Sequence, residues 1–249
     1  MKIIFPEVIK NNLAKEAIKF FPNIEFLPAD NLNHAIELLE TADSMISGLD
    51  YSSREVLITY KNHLPLKSAY FSSCFICKKA EKILALADCG VNKQPDAEKL
   101  YTIVEDTVET FKTYTNKIPK IAMLSYSTNG SGGKNADLEK IHYVINQIRA
   151  NHPDWEIDGE MQLDAAVNPK IGQKKFPGSK VAGNANILIT PDLNSGNILY
   201  KSLEQFGSFT CAGPIIQGFK IPLADLSRGS TLEDIKLTID VIIKQLERK

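Results

Sequence analysis

Between Cys211 and Asp234 the chain reads CAGPIIQGFKIPLADLSRGSTLED, and its polar centre carries most of the groups able to do chemistry. Ser227 and Ser230 supply hydroxyls, Arg228 a planar fork of donors suited to phosphate, and Asp234 a carboxylate able to take a proton. A Gly-Pro start, an apolar run and a second proline lead into Ser-Arg-Gly-Ser, the pattern of a strand handing a loop to a helix. The helix is expected to begin near Thr231, with Glu233 and Asp234 in its first turn, where carboxylates suit the positive end of the helix dipole. On spacing alone two readings stay open: an anion site, or an ordinary helix entry in which the same groups only cap.

A second group lies in residues 125–133, SYSTNGSGG, expected after a strand and before a helix. Small hydroxyls and glycines there would let backbone N–H groups converge on an anion. The loop has neither the Gly-Lys-Ser/Thr of a nucleotide-binding turn nor a dinucleotide glycine pattern, and a plain surface loop is the alternative. Asp158 and Asp164 form a carboxylate pair that suits acid–base work or Mg²⁺, against the reading that Asp164 merely caps a helix or bonds loop backbone. Asn194 and Asn197 follow another strand, at the carboxyl edge where open α/β sheets bind ligands, and either hold turns or touch substrate.

The elements that must position these groups alternate. Strands are expected at 2–6, 24–27 and 43–48, separated by helices at 11–21 and 32–39 and followed by a helix from 51 capped by Ser52 or Ser53. A second series has strands at 69–74, 82–87, 121–126, 155–158 and 187–190, with helices at 97–111, 138–149 and 198–205 and a helix or loop at 161–167. The closing helix, about 232–246, carries an apolar stripe of Ile235, Ile239, Ile242 and Leu246. Strand and helix in close alternation argue for parallel sheet with helices on its faces.

With 249 residues, 43% of them hydrophobic, the chain can build one sizeable domain or two modest ones. A net charge of -1 without a basic tract disfavours nucleic acid as a partner. The apolar runs are too short to cross a membrane, and the polar start MKIIFPEVIK is no signal peptide, so a cytoplasmic protein is expected. Cys74 and Cys77 form a C-x-x-C, but no second pair and no histidine stands at zinc spacing. Buried or half-buried reduced thiols are therefore expected at Cys74, Cys77, Cys89 and Cys211.

The stretch GPIIQG, DLSRG and ED, in that order, resembles the C-terminal signature of the phosphotransacetylases. Four further blocks agree in sequence: 124–130 (LSYSTNG), 158–166 (DGEMQLDAA), 177–186 (PGSKVAGNAN) and 191–197 (PDLNSGN). The resemblance covers most of residues 87–234. It implies α/β architecture with two α/β/α domains and a cleft between them, of the kind also found in isocitrate and isopropylmalate dehydrogenases. Residues 1–62 with 214–249 would form a reduced first domain and 63–213 the second. The implied reaction is reversible acetyl transfer between coenzyme A and inorganic phosphate, by direct thiolate attack on acetyl phosphate. Coenzyme A is then a substrate, and neither a cofactor nor an essential catalytic metal is implied.

By the same resemblance Asp234 is the base for the thiol, and Ser227 and Arg228 polarise the acyl phosphate. Ser127, Thr128 and Ser230 bind substrate, and relatives carry cysteine at the position of Ser230. A homodimer is implied. Butyryl transfer is the nearest alternative, and a non-catalytic paralogue binding coenzyme A or acyl phosphate is another. Two departures stand out. Ile58 occupies the place of a phosphate-binding arginine, and an upstream Arg-Lys-His-Lys-Gly segment with a second arginine has no counterpart. Arg54, one helical turn before Ile58 on the same face, is the candidate replacement.

Overall fold

A computed structural model describes residues 1–248. In chain order the elements begin with β1 (Lys2–Ile4), α1 (Asn12–Ala17), β2 (Glu25–Leu27), α2 (Leu32–Leu38), β3 (Ser44–Ser47) and α3 (Ser53–His63). The middle of the chain forms β4 (Ser72–Lys79), β5 (Lys82–Ala87), α4 (Ala97–Tyr114), β6 (Lys120–Leu124), α5 (Ala136–Asn151) and β7 (Glu156–Met161). It continues with α6 (Leu163–Val167), α7 (Pro169–Lys175), β8 (Ile187–Ile189) and α8 (Leu193–Gln205). The chain closes with β9 (Thr210–Gln217), β10 (Leu223–Asp225) and α9 (Leu232–Glu247). Two compact units result: Met1–Phe71 with the chain from Phe209 onward, and Ser72–Ser208.

In the first unit the strands run in the order β2, β1, β3, β10, β9. The first four are mutually parallel, and β9 runs antiparallel to β10. Strand β3 is buried at every position, as expected of parallel strands covered on both faces. A core of Ile4, Leu32, Met45, Val56, Tyr60 and Phe219 packs α2 and α3 onto these strands. The Tyr60 hydroxyl bonds Ser47 Oγ at 2.9 Å and the Ala224 carbonyl at 3.1 Å, so α3 is tied to β3 and β10 together. Two capping boxes start the helices that matter most. Ser52 and Glu55 exchange bonds at the head of α3, and Thr231 and Asp234 do so at the head of α9. Of the expected stripe, Ile235, Ile239 and Ile242 are fully buried and Leu246 is half-buried.

In the second unit a β4–β5 hairpin leads into parallel β5, β8, β6 and β7, in that order. Strand β4 lies later than expected because it pairs with β5 out to Lys79 opposite Lys82. Periodicity alone had ended it before those lysines. Helix α8 starts five residues early because Asp192 caps it, accepting from Ser195 N at 2.9 Å. Helix α7 was not expected; Asn168 caps it and proline stands at its first turn. Cys74 and Cys89 are buried free thiols, whereas Cys77 and Cys211 are not free, contrary to expectation. Among the described residues no helix is long and apolar enough to cross a membrane.

Candidate active site

In the first unit, β10 ends at Asp225 and the chain turns immediately. Leu226 N donates to the Ser47 carbonyl at 2.5 Å, Gly229 N to Ser227 Oγ at 3.2 Å and Ser230 N to the Ser227 carbonyl at 2.9 Å. The turn leaves Ser227 and Ser230 half-buried and Arg228 exposed. Gly48, at the end of the neighbouring β3, has φ +112°, and a side chain there would overlap Asp225 Oδ1 and the Leu226 carbonyl. The approach of the two strand ends therefore requires glycine. Glu55, in the first turn of α3, is held below the usual carboxylate range by hydrogen bonds from the Ser52 hydroxyl and backbone, with a further contribution from the Arg228 charge.

Asp234 stands where the sequence put it, in the first turn of α9, but it is buried and its oxygens are occupied. Oδ1 accepts from Cys211 N at 2.9 Å, and Oδ2 accepts from Thr231 N at 2.9 Å and Thr231 Oγ1 at 2.7 Å. Its first job is thus to fasten α9 to β9. Base chemistry would have to use the lone pair left over on Oδ1, or an opened cap.

Beneath the Ser227–Arg228 turn lies a poorly satisfied pair of acids. Asp225 is 1% exposed and its Oδ1 has no hydrogen-bond partner; Glu7 is 2% exposed and its Oε2 has none. Burial pushes the Asp225 carboxyl up to about 7, opposed by a bond from Ser53 and reinforced by the charge of Glu7. Burial likewise raises Glu7, against bonds from Gly48 N at 2.8 Å and from Asp50 N at 3.5 Å.

Arg54 and Ile58 line one cavity of about 470 Å³, with Tyr51, Glu55, Asn31 and Thr59 also on its wall. Both side chains are exposed. The i, i+4 spacing places both residues on the wall of the same cavity.

In the second unit the loop after β6 is closed in on itself. Ser127 is 1% exposed and Thr128 5%. Ser127 Oγ donates to Glu160 Oε1 at 2.7 Å and accepts from Gly132 N at 2.7 Å. Thr128 Oγ1 accepts from Gln162 N at 2.9 Å and faces Gln162 Oε1 at 3.5 Å. Every amide from Ser127 to Gly133 has an internal acceptor, Gly130 N donating to Glu160 Oε1 at 2.8 Å and Asn129 N to the Glu160 carbonyl at 3.1 Å. The expected convergence of unspent N–H groups on an anion is absent from this arrangement, because the carboxylate of Glu160 already serves as the internal anion.

The family model for "Phosphate acetyl/butaryl transferase" matches residues 14–243. The chain belongs to this family. A phosphate acetyltransferase of Clostridium acetobutylicum is 44% identical over 168 residues, 68% of this chain and 50% of that protein. One of Treponema pallidum is 37% identical over 230 residues, covering 87% and 68%. A solved phosphotransacetylase from Streptococcus pyogenes superimposes with a TM-score of 0.86 at 29% identity, over 100% of this chain and 94% of that one. The chain thus spans about half the length of the Clostridium relative it matches. The α/β fold inferred from the motifs agrees with these likenesses.

Within this phosphate acetyl/butyryl transferase fold, sequence reading missed Glu160, His142, Asp225 and Glu7. Glu160 lay between two aspartates that drew attention instead. Asp158 pairs with Arg149 and Ser179, while Asp164 accepts from Ala165 N at 2.8 Å and Lys175 Nζ at 2.8 Å. The available signal was a carboxylate set directly beside the apolar Met161 at the end of a strand. Asp225 stood at the end of an apolar run and invited the same question.

Proposed function

We propose that the protein is a phosphate acyltransferase that moves an acetyl group reversibly between coenzyme A and inorganic phosphate. The observation that carries this reading is the exposed Arg228, presented on a strand-end turn beside Ser227 in a chain of this family. In the forward step the coenzyme A thiol loses its proton and its sulfur bonds the acetyl carbonyl carbon. The carbon–oxygen bond to phosphate then breaks, releasing phosphate and the thioester. Arg228 and the Ser227 hydroxyl would stabilise the charge that builds on the oxygens of the acyl phosphate. Asp234 would take the thiol proton, and Ser127, Thr128, Ser230 and Arg54 would bind substrate. The same reading makes the protein a cytoplasmic homodimer with no bound cofactor, coenzyme A and acetyl phosphate being substrates.

The test is formation of acetyl-CoA from acetyl phosphate and coenzyme A, beside Arg228→Ala. Arg228 is the better control than Asp234, because its exposed side chain carries no structural bond whose loss would unfold the chain. Loss of one charge-stabilising donor is expected to lower turnover roughly 10²–10³-fold. A wild-type chain inactive with acetyl phosphate but active with butyryl phosphate would move the substrate to the longer acyl group. Inactivity with both would reject the enzyme reading.

A further inference from the structure

Glu160, near the end of β7, has none of its surface exposed, yet it gathers groups from two separate segments, the loop after β6 and helix α5. Its Oε1 accepts from the Ser127 hydroxyl and from Gly130 N, its carbonyl accepts from Asn129 N, and its Oε2 accepts from Nε2–H of His142 on α5. Burial pushes this carboxyl up, but the bonds from Ser127, Gly130 and His142 outweigh burial and hold it below the usual range. The loop fits closely around this anchor: a side chain on Gly132 would come within 2.8 Å of Ser127 Oγ. His142 is half-exposed and completes the carboxylate from the solvent side.

The two loop hydroxyls are therefore not equivalent. The Ser127 proton is committed to Glu160 at 2.7 Å, while the Thr128 hydroxyl reaches its nearest acceptor, Gln162 Oε1, only at 3.5 Å. That second contact is too long to hold the proton firmly, so this hydroxyl is the less committed of the two. Gln162 Oε1 is in any case already served by Lys175 Nζ at 2.8 Å.

We propose that Glu160, braced by His142, is a positioning residue that fixes Ser127 as the frame of the loop and thereby aims the Thr128 hydroxyl at the phosphoryl group of the substrate. This rests on the reading of the protein as a phosphate acyltransferase. Glu160 touches no substrate; its effect passes through Ser127 and Gly130. Hydrogen bonds weaken steeply with lengthening and misalignment, so a misaimed Thr128 hydroxyl is expected to lower affinity for the phosphorylated substrate.

The experiment compares wild type with Glu160→Ala, Glu160→Gln and His142→Ala, measuring KM for acetyl phosphate, KM for coenzyme A, kcat and, by calorimetry, binding of inorganic phosphate. Glu160→Ala should raise KM for acetyl phosphate about tenfold or more, leaving KM for coenzyme A within about twofold and kcat within about threefold. Glu160→Gln should stay within about threefold of wild type, because its amide oxygen still accepts from Ser127 and Gly130, and His142→Ala should fall between. Where Glu160→Ala does not fold, Glu160→Gln and His142→Ala carry the comparison.

A folded Glu160→Ala or His142→Ala with unchanged KM for acetyl phosphate would overturn the positioning role. So would Glu160→Gln as impaired as Glu160→Ala, since the charge would then be what matters. A wild-type chain that turns over nothing, yet binds phosphate about tenfold better than Glu160→Ala, would reject the enzyme reading and keep this one. A wild-type chain that neither turns over nor binds phosphate would end both.

Discussion

The loop after β6 and the loop after β10 both join a strand end to a helix, both carry serines, and they are built on opposite plans. In residues 127–133 every amide is spent and a buried carboxylate with three hydrogen-bond donors sits at the centre. In residues 226–230 the cation is exposed, and the buried acid beneath, Asp225, has an oxygen with no partner. The first arrangement rigidifies, because each polar group is already matched and nothing is gained by moving. The second keeps an exposed cation above a buried carboxyl with one unmatched oxygen, an arrangement that is costly in the resting protein. Satisfied carboxylates make frames, and unsatisfied ones mark the places that change charge.

The largest effect should come from breaking the second plan at Asp225. Its folded-state value, about 7, lies above its ordinary 3.8, so between those values the folded chain holds a proton that the unfolded chain releases. The stabilisation is complete below about pH 4 and is lost as the pH rises through 7. The span is on the order of 4 kcal/mol at most, and Glu7, also raised, acts in the same direction. Asp225→Asn should flatten the dependence, as read by urea unfolding from pH 4 to 8. An equally steep curve in the variant would mean that Asp225 is not the source.

Arg54→Ala sharpens the comparison on its cationic side. If Arg54 stands in for the arginine position filled by Ile58, removing it costs about 1.5–3 kcal/mol of phosphate affinity, a roughly tenfold to hundredfold rise in KM for acetyl phosphate. Unchanged kinetics would remove Arg54 from the site. The smallest pair tests the two plans directly through stability. Ser131→Ala strips the acceptor that Thr128 N uses at 3.0 Å and should cost about 1 kcal/mol. Ser230→Ala, in the open turn, should stay within about 0.5 kcal/mol. Equal losses in thermal unfolding would erase the distinction between the loops.

Much of the scaffold was legible. The starts of α3 and α9 were readable because capping is local: Ser52 or Ser53 is the expected cap of α3, and α9 is expected to begin near Thr231. The structure adds that Ser52 with Glu55 and Thr231 with Asp234 close capping boxes three residues apart. The same locality brought Arg54 and Ile58 to one wall of one cavity. Strand β10 was not legible as an element of its own, since three residues carry no period, and α7 was hidden behind Asn168 and Pro169, which read equally well as a turn. The candidate site divided along the same line. Residue types at 227, 228 and 234 were visible, but the sequence could not say that both Asp234 oxygens would be engaged, one by an amide 23 residues away.

Taken alone, the sequence determined the alternation of strands and helices and the identity of the polar groups in each loop, because these follow from spacings of a few residues. Only the tertiary structure decided which groups are spent and which are open. Glu160 reaches Ser127 across 33 residues, and Asp225 meets Glu7 and Ser53 through strands brought side by side. Whether a carboxylate ends as an anchored frame or an uncompensated charge depends on how many donors the fold gathers around it and how much water it removes. Neither quantity is a property of any short stretch of chain.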